Sequence, residues 1–544
     1  MASSIRRNWD VPALSDLHND TPITYSDLAY IIARMHQTFI ANGIHPGDKV
    51  AICAKNSAHW AMRFIGCLTY GVVAVPILNE FKPDAIQALV DHSDAVALLV
   101  DEHTRKSLDV TAMPKVLGFY DIGTGQPWLT REKVFETTSK NIDIIMARAY
   151  PEGLNKDNFD KTYFTDTPSD VAVINYTSGS TGQPKGVMLS YGSIWSNARF
   201  ATDNIQFYSP GDGMVSMLPL AHMFGLLVEL IFPLLKGCHI TFLGRVPSPK
   251  VLLDAFSEIR PKMVVTVPLV IEKIVTNKVF PTLNKPFIKL LTKIPFVNRK
   301  IYDKVRAQMI EAFGGNLKQL IIGGAALSKE VENFLLKIRF PYTVGYGMTE
   351  CGPLIAYCFW DTQKQGSCGR IVDRMEARID SPDPEHTPGV LWVKGANVMN
   401  GYYKNPEATE AVFDKDGWMN TGDICTLDKD GYLFIRGRDK SMILGPSGQN
   451  IYPEEIEGKL NHLPFVAESV VTDRDGKLVA LVYPDFEAAK KAHVDREKID
   501  ELMASNLTTL NRELPAYSKV VHIELRDEPF EKTPKQSIKR FMYK

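Results

Sequence analysis

The chain has 544 residues, with 62 Lys plus Arg against 63 Asp plus Glu and a formal net charge of −1 at pH 7. That balance excludes a global field for nucleic acid, so any polyanion must be met by a local site. Hydrophobic residues at 45% and charged residues at 23% exclude long disorder, collagen and coiled coil, and the length exceeds a single core, which predicts at least two domains.

The opening stretch, MASSIRRNWDVPALSD, carries two arginines with no apolar run behind them, so no secretory signal is expected and a cytoplasmic location is the default. Between residues 28 and 100, amphipathic helical patterns such as LAYIIARMHQTFIANG alternate with short β-branched runs such as VVAVPI and AVALLV. This alternation predicts a parallel α/β layer. The same rhythm returns at 171–174, 213–217, 239–242, 263–267 and 320–322, which extends one large α/β unit to about residue 436. The most apolar stretch, GLLVELIFPLL at 225–235, is about half a membrane span and carries Glu229 and Pro233, so it reads as a buried core helix and no transmembrane segment is expected.

From residue 389 the texture shifts to GVLWVKG, DKDGWMNTGD and LDKDGYLFIRGRDK, where Asp-Gly turns between alternating apolar residues predict a small β-rich subdomain. After Lys440 a helix is expected over 453–460, strands at VAESVVT and LVALVYP, a charged helix over 494–513 and a strand at VVHIEL. These form an α+β module large enough to fold alone. The seven cysteines show no CxxC pair and no zinc-like Cys/His spacing, so they read as reduced, mostly buried thiols.

The segment YTSGSTGQPKG at 176–186 follows a strand pattern and precedes another, VMLS. Its glycines and hydroxyl side chains let backbone N–H groups turn inward, and Lys185 adds an ammonium, a combination suited to phosphate. Thr177, Ser178, Gly179, Ser180, Thr181, Gly182 and Lys185 are therefore the candidate phosphate-binding residues. A Walker A loop fails at two required positions, where Pro184 and Gly186 stand.

This segment resembles the signature [YF]TSG[ST]TGxPKG of the adenylate-forming superfamily, which comprises acyl-CoA synthetases, luciferases and peptide-synthetase adenylation domains. Further segments match in order over nearly the whole chain. GYGMTE at 345–350 is similar to YGxTE, and the resemblance implies that Tyr346 and Gly347 line the adenine, Thr349 touches the α-phosphate and Glu350 holds Mg²⁺, a hard cation that favours oxygen ligands. In IIGGAAL, Gly323, Gly324 and Ala325 look like the segment along the base. NTGD resembles [RK]TGD and assigns Asp423 to the ribose hydroxyls, a two-acceptor group for a cis-diol. IRGRDK resembles the hinge motif, giving Arg438 a ribose or phosphate contact and Lys440 the pivot. GQNIYPEEIE, with Gly448, looks like the lining of a thiol channel, and Asn450 stands where some relatives have Arg. LPLAHMF resembles the segment whose His lies beside the acyl pocket, although a lone His222 on an apolar run is also an ordinary core residue.

The pattern breaks near the end. The superfamily's TPxxKIxR becomes KTPKQSIKR, which puts Ser537 where its lysine stands; Lys535 is the candidate substitute, and Lys539 flanks the position on the other side at the same strand spacing. The resemblance implies an α/β fold with a large N-terminal domain, 1–438, and a small mobile α+β C-terminal domain, 439–544. It further implies ATP-dependent activation of a fatty acid to acyl-AMP and transfer to CoA, with ATP and Mg²⁺ as cofactors and CoA as co-substrate. VTVPLVIEKIVTNKV, NIYPEEIE and IKRF are most like long-chain acyl-CoA synthetases. Two alternatives stay open: a fatty acyl-AMP ligase serving a carrier protein, and an impaired acyl or nucleotide binder prompted by Ser537. No nucleic acid partner is expected. Peripheral membrane contact fits a long-chain acid, which partitions into lipid, and the oligomeric state is undetermined.

Overall fold

In the computed structural model the described residues are 1–544 except 20, 166, 178–183, 245–247, 445–449, 475, 516–517, 534–537 and 544. After the short helix Ala2–Arg7, the next two helices begin where the sequence supplies caps. Thr24 and Asp27 form a reciprocal capping box for Tyr25–Ala41, while Ser57 caps Ala58–Tyr70, which stops at Gly71 with φ 94°. Their apolar faces bury Trp60 and Phe64, stacked at 5.3 Å, against the strands.

Among the described residues the largest sheet has eight strands, in the order Gly401–Tyr402, Lys185–Ser190, Val171–Thr177, Val73–Pro76, Lys49–Cys53, Ala95–Val100, Gly118–Asp121 and Pro127–Thr130. The centre is parallel, as expected, with Ala74 opposite Val173 and Val50 opposite both Ala74 and Ala97. The edges correct that expectation: Val171–Thr177 runs antiparallel to Lys185–Ser190, and Gly118–Asp121 antiparallel to Pro127–Thr130. Each antiparallel pair is joined by a connection too short for a parallel crossover.

The expected single α/β layer is also divided. Gly213–Ser216, His239–Phe242, Pro12–Asp16 and Ile23–Thr24 form a second sheet, and Met263–Thr266, Gln319–Ile322 and Tyr342–Val344 a third, wholly parallel one. The apolar stretch is helical and buried, but Leu226–Ile231 is a π-helical turn between Met223–Gly225 and Phe232–Lys236. Turns of this kind interrupt α-helices chiefly at functional positions.

The β-rich subdomain begins at Met375, before the expected residue 389. Met375–Asp380 pairs with Gly389–Gly395, which pairs with Met419–Leu427, and that strand with Leu433–Arg438. Its sequence, MEARID, buries only Met375 and Ile379 and turns Glu376, Arg378 and Asp380 outward, so hydrophobicity alone hides the strand. All seven cysteines are buried and unbridged.

The final module contains Pro453–Leu460, the antiparallel pair Val466–Arg474 and Lys477–Pro484, the helix Arg496–Glu513 and the parallel edge strand Val520–Leu525. It has an apolar cluster of its own around Ile456, Leu460, Val471, Ala480, Val482, Met503 and Leu510. It meets the larger part at Gly437, where a Cβ would lie 3.1 Å from Tyr452 Cβ and 3.3 Å from Glu454 Oε2. Two separate cores predict two transitions in differential scanning calorimetry, the smaller retained by a fragment of residues 440–544. A single transition with equal calorimetric and van't Hoff enthalpies would contradict this.

Candidate functional site

The third sheet delivers the chain into the site. After Tyr342–Val344, Gly345 N–H donates to Ile322 O at 2.9 Å, and Tyr346–Gly347 folds back antiparallel on Leu354–Tyr357. A Cβ at Gly347 would lie 2.0 Å from Pro353 O, so this hairpin closes only on glycine. The bend places Tyr346 in the interior, and its hydroxyl donates to Asp423 Oδ2 at 2.5 Å. Asp423 pairs in register with Arg438 on the neighbouring strand, and Arg438 Nε donates to Oδ1 at 3.0 Å.

Asp423 is only 3% exposed, and this burial pushes its carboxyl up, opposed by Arg438 and the Tyr346 hydroxyl. Burial likewise raises the Tyr346 phenol, with Asp423 second. The Arg438 side chain remains 63% exposed, so one end of the pair meets solvent. Tyr346, Asp423 and Arg438 thus form one group. Both carboxylate oxygens are already engaged by protein, each with one lone-pair direction left for a diol, an arrangement sequence reading did not anticipate.

Four residues after Tyr346, Glu350 sits in the 3₁₀ turn Thr349–Cys351 and accepts a hydrogen bond at Oε1 from the Tyr402 hydroxyl at 2.9 Å. Its carbonyl accepts from Met399 N–H. The Tyr402 ring carries the Lys185 ammonium at 4.7 Å from its centroid. Lys185 opens its strand opposite Thr177, and Tyr176 in the same hairpin shares a 2.7 Å hydrogen bond with His92 Nδ1. Tyr402 is therefore the spacer between the cation and the carboxylate. No sequence motif pointed to it.

Among the described residues Glu350 Oε2 accepts no protein hydrogen bond, and no group of three or more His, Cys, Asp or Glu side chains is arranged to hold a metal ion. A single carboxylate of this kind fits Mg²⁺, which keeps waters and takes most remaining oxygens from phosphate. Gly324 (φ +86°) and Ala325 are exposed, and a Cβ at Gly323 would lie 2.9 Å from the Phe224 ring.

The LPLAHMF segment is held by three polar side chains, of which Asn56 and Asn175 carried no signal in the sequence and Glu229 stood out only as a charge within an apolar run. Asn56 donates to Leu218 O at 2.6 Å and accepts from Leu220 N–H at 3.0 Å, and Asn175 donates to Ala221 O at 2.8 Å. Glu229 Oε2 accepts from the Ser216 hydroxyl at 3.1 Å and from the N–H groups of Met217 and Leu218 at 3.0 and 2.9 Å. Glu229 is fully buried, and desolvation pushes its carboxyl up to about 8. His222 is half-buried at the start of the helix Met223–Gly225.

Ser178, Gly179, Ser180, Thr181, Gly182, Gly448, Lys535 and Ser537 lie outside the described residues. Lys440 occupies the 3₁₀ turn Asp439–Ser441. Lys539 forms an ion pair with Glu531 at 3.2 Å. Arg540 pairs with Glu457 and stands 3.8 Å from Glu454, the carboxylate beside Gly437, which puts a basic residue of the last motif near the seam between the two cores. Burial pushes Glu457 up to about 7 despite that arginine.

A sequence profile described as AMP-binding enzyme matches residues 1–403, and one described as AMP-binding enzyme C-terminal domain matches residues 440–543. The peroxisomal long chain acyl-CoA synthetase 6 of Arabidopsis thaliana is 27% identical over 86% of this chain and 69% of its own length. Long-chain-fatty-acid–CoA ligase 1 of Homo sapiens is 28% identical over 88% of this chain and 72% of its own. In architecture the chain is similar to ATP-bound MatB from Rhodopseudomonas palustris, with TM-score 0.76, 23% identity and coverage of 100% of this chain and 98% of that one. It is also similar to the O-succinylbenzoate coenzyme A synthetase MenE from Bacillus subtilis in complex with AMP, with TM-score 0.74, 21% identity and coverage of 100% and 97%.

The Glu229 carboxyl makes a pH prediction. Between its ordinary value near 4.5 and about 8, the folded protein keeps a proton that the unfolded chain has released, so this group's contribution to stability falls as pH rises through that window. The slope is at most about 1.4 kcal/mol per pH unit. Glu229→Gln, which retains an acceptor but cannot ionise, should flatten the decline in urea-unfolding free energy between pH 5.5 and 8. Identical pH dependence in both proteins would show that Glu229 is ionised in the fold.

Proposed function

The chain belongs to the AMP-binding enzyme family, and on that premise we propose that it is an AMP-forming acid–thiol ligase acting on a long-chain fatty acid. The observation that carries the reading is the division of labour across one short turn: Tyr346 points to the Asp423–Arg438 pair, and Glu350 to Tyr402 with Lys185. The first group has the acceptor chemistry for a nucleoside, and the second the cation and carboxylate for a metal-bound triphosphate.

In the first step the fatty carboxylate oxygen attacks the α-phosphorus of ATP and the bond to the bridging oxygen breaks, its electron pair leaving with pyrophosphate. In the second the CoA thiolate attacks the acyl carbon, AMP departs with the bonding pair, and the thiol proton passes to solvent. Lys185 and residues 177–182 are assigned to the β- and γ-phosphates, Thr349 to the α-phosphate, Asp423 and Arg438 to the ribose, and Gly324, Ala325, Tyr346 and Gly347 to the base. Bound through Glu350, Mg²⁺ would supply neutralising charge to the phosphates. Catalysis then consists mainly of positioning and charge stabilisation.

His222 is assigned to the acyl end, Gly448 to the thiol channel and Lys535 to the position vacated at Ser537. The domains are taken as 1–438 and 439–544, turning about Lys440 between the two steps. Peripheral contact with lipid, from a cytoplasmic location, belongs to the same reading because the acid itself partitions into bilayers.

Pyrophosphate release from MgATP should rise from acetate through octanoate to palmitate and turn over only with CoA. A stoichiometric burst indifferent to CoA would move the acceptor to a carrier protein, and no release with any acid would contradict the reading. Lys440→Pro should keep acyl-AMP formation within about twofold while slowing thioester formation at least tenfold; equal loss of both steps sinks the pivot role.

A further inference from the structure

The crossover between the strands Met263–Thr266 and Gln319–Ile322 starts at Val267, whose Cγ1 would lie 3.9 Å from a Cβ at Gly324. It runs through Pro268–Ile274, a π-helical turn at Val275–Val279, Phe280–Leu283 and Pro286–Leu291 before the long helix Val297–Ala312. Phe280 anchors it, packing edge-on against Phe334 at 5.3 Å. Beyond this anchor the pattern inverts. Phe287 is 72% exposed and Phe296 85% exposed, with Leu290 and Ile294 also outside. Phe296 has φ 67°, a left-handed backbone seldom adopted by a bulky residue, at the turn that carries its ring into solvent.

Isolated surface hydrophobics are ordinary, but four large exposed ones within ten residues are more than a soluble surface needs. The charge around it is one-sided. Lys273, Lys278, Lys285, Lys289, Lys293, Arg299 and Lys300 are all exposed, and no Asp or Glu occurs from residue 273 to residue 302. The whole chain carries −1, so this crossover holds a local excess against the overall balance. Among the described residues none of the seven forms an ion pair, the nearest in sequence joining Arg306 to Asp303.

Apolar rings ringed by lysines complement the two layers of an anionic lipid surface, acyl chains beneath and phosphates above. We propose that residues 285–300 are a peripheral docking surface for an anionic bilayer, seating Phe287, Leu290, Ile294 and Phe296 in the acyl boundary while Lys285, Lys289, Lys293, Arg299 and Lys300 meet lipid phosphates. The proposal rests on the reading of the substrate as a long-chain acid, and it places the lipid source on the crossover that starts beside Gly324. Among the described residues no helix is long and apolar enough to cross a membrane, so the contact is interfacial.

Cosedimentation of the full chain with vesicles, in the absence of ATP and acid, tests the surface independently of the ligase reading. Binding to equimolar phosphatidylcholine and phosphatidylglycerol should exceed binding to phosphatidylcholine alone by at least about tenfold and should weaken at high salt. The triple variants Phe287/Leu290/Phe296→Ser and Lys285/Lys289/Lys293→Glu should each lose at least about tenfold, with octanoate-dependent pyrophosphate release unchanged. Equal binding by wild type and variants, no wild-type binding, or a concentration-dependent dimer abolished by the same substitutions would overturn the proposal. Vesicle binding without octanoate turnover in the wild type would instead fail the ligase reading alone.

Discussion

A carboxylate that is buried must be compensated, and the geometry of this cleft follows from how Asp423 meets that requirement. Its two oxygens are held from two directions, by the Tyr346 hydroxyl and by Arg438. Those partners lie on different sheets, so the contacts also fix the β-rich subdomain against the hairpin of Tyr346–Gly347 and Leu354–Tyr357. Arg438 immediately precedes the turn that leads into the final module. The same ion pair therefore marks where one core ends and the next begins.

The LPLAHMF segment is organised by the same rule with neutral partners. The LPLAHMF segment is irregular backbone in a buried place, where unpaired N–H and C=O groups are costly. Asn56, Asn175 and Glu229 satisfy several of them from three separate elements. The π-helical turn holds Glu229 opposite the donors at Ser216, Met217 and Leu218, so a helix irregularity and a raised carboxyl serve one loop. His222 inherits its position from this scaffold.

The apolar clusters, the charged groups around Asp423 and Glu350 and the exposed crossover divide the molecule by solvent. The interior excludes water from irregular backbone near His222, while Arg438, Gly324 and Ala325 remain open to it. The crossover over residues 285–300 does the reverse, keeping Phe287, Leu290, Ile294 and Phe296 outside. A protein whose substrate straddles water and lipid has a use for both arrangements.

Strand and helix periodicity, turn residues and the spacing of Tyr346, Glu350, Asp423 and Arg438 were readable in the sequence because they are local properties. They determined the α/β texture, the separate final module and the family resemblance. Charged strands such as Met375–Asp380 escaped, since an alternation with only two buried residues lies below what hydrophobicity can report. Tertiary structure alone decided that Tyr402 stands between Lys185 and Glu350, that Asp423 spends an oxygen on each of two protein donors, and that Glu229 stays buried. Each outcome depends on groups far apart in the chain meeting at about 3 Å in a medium of low dielectric, and no periodicity along the chain encodes such a meeting.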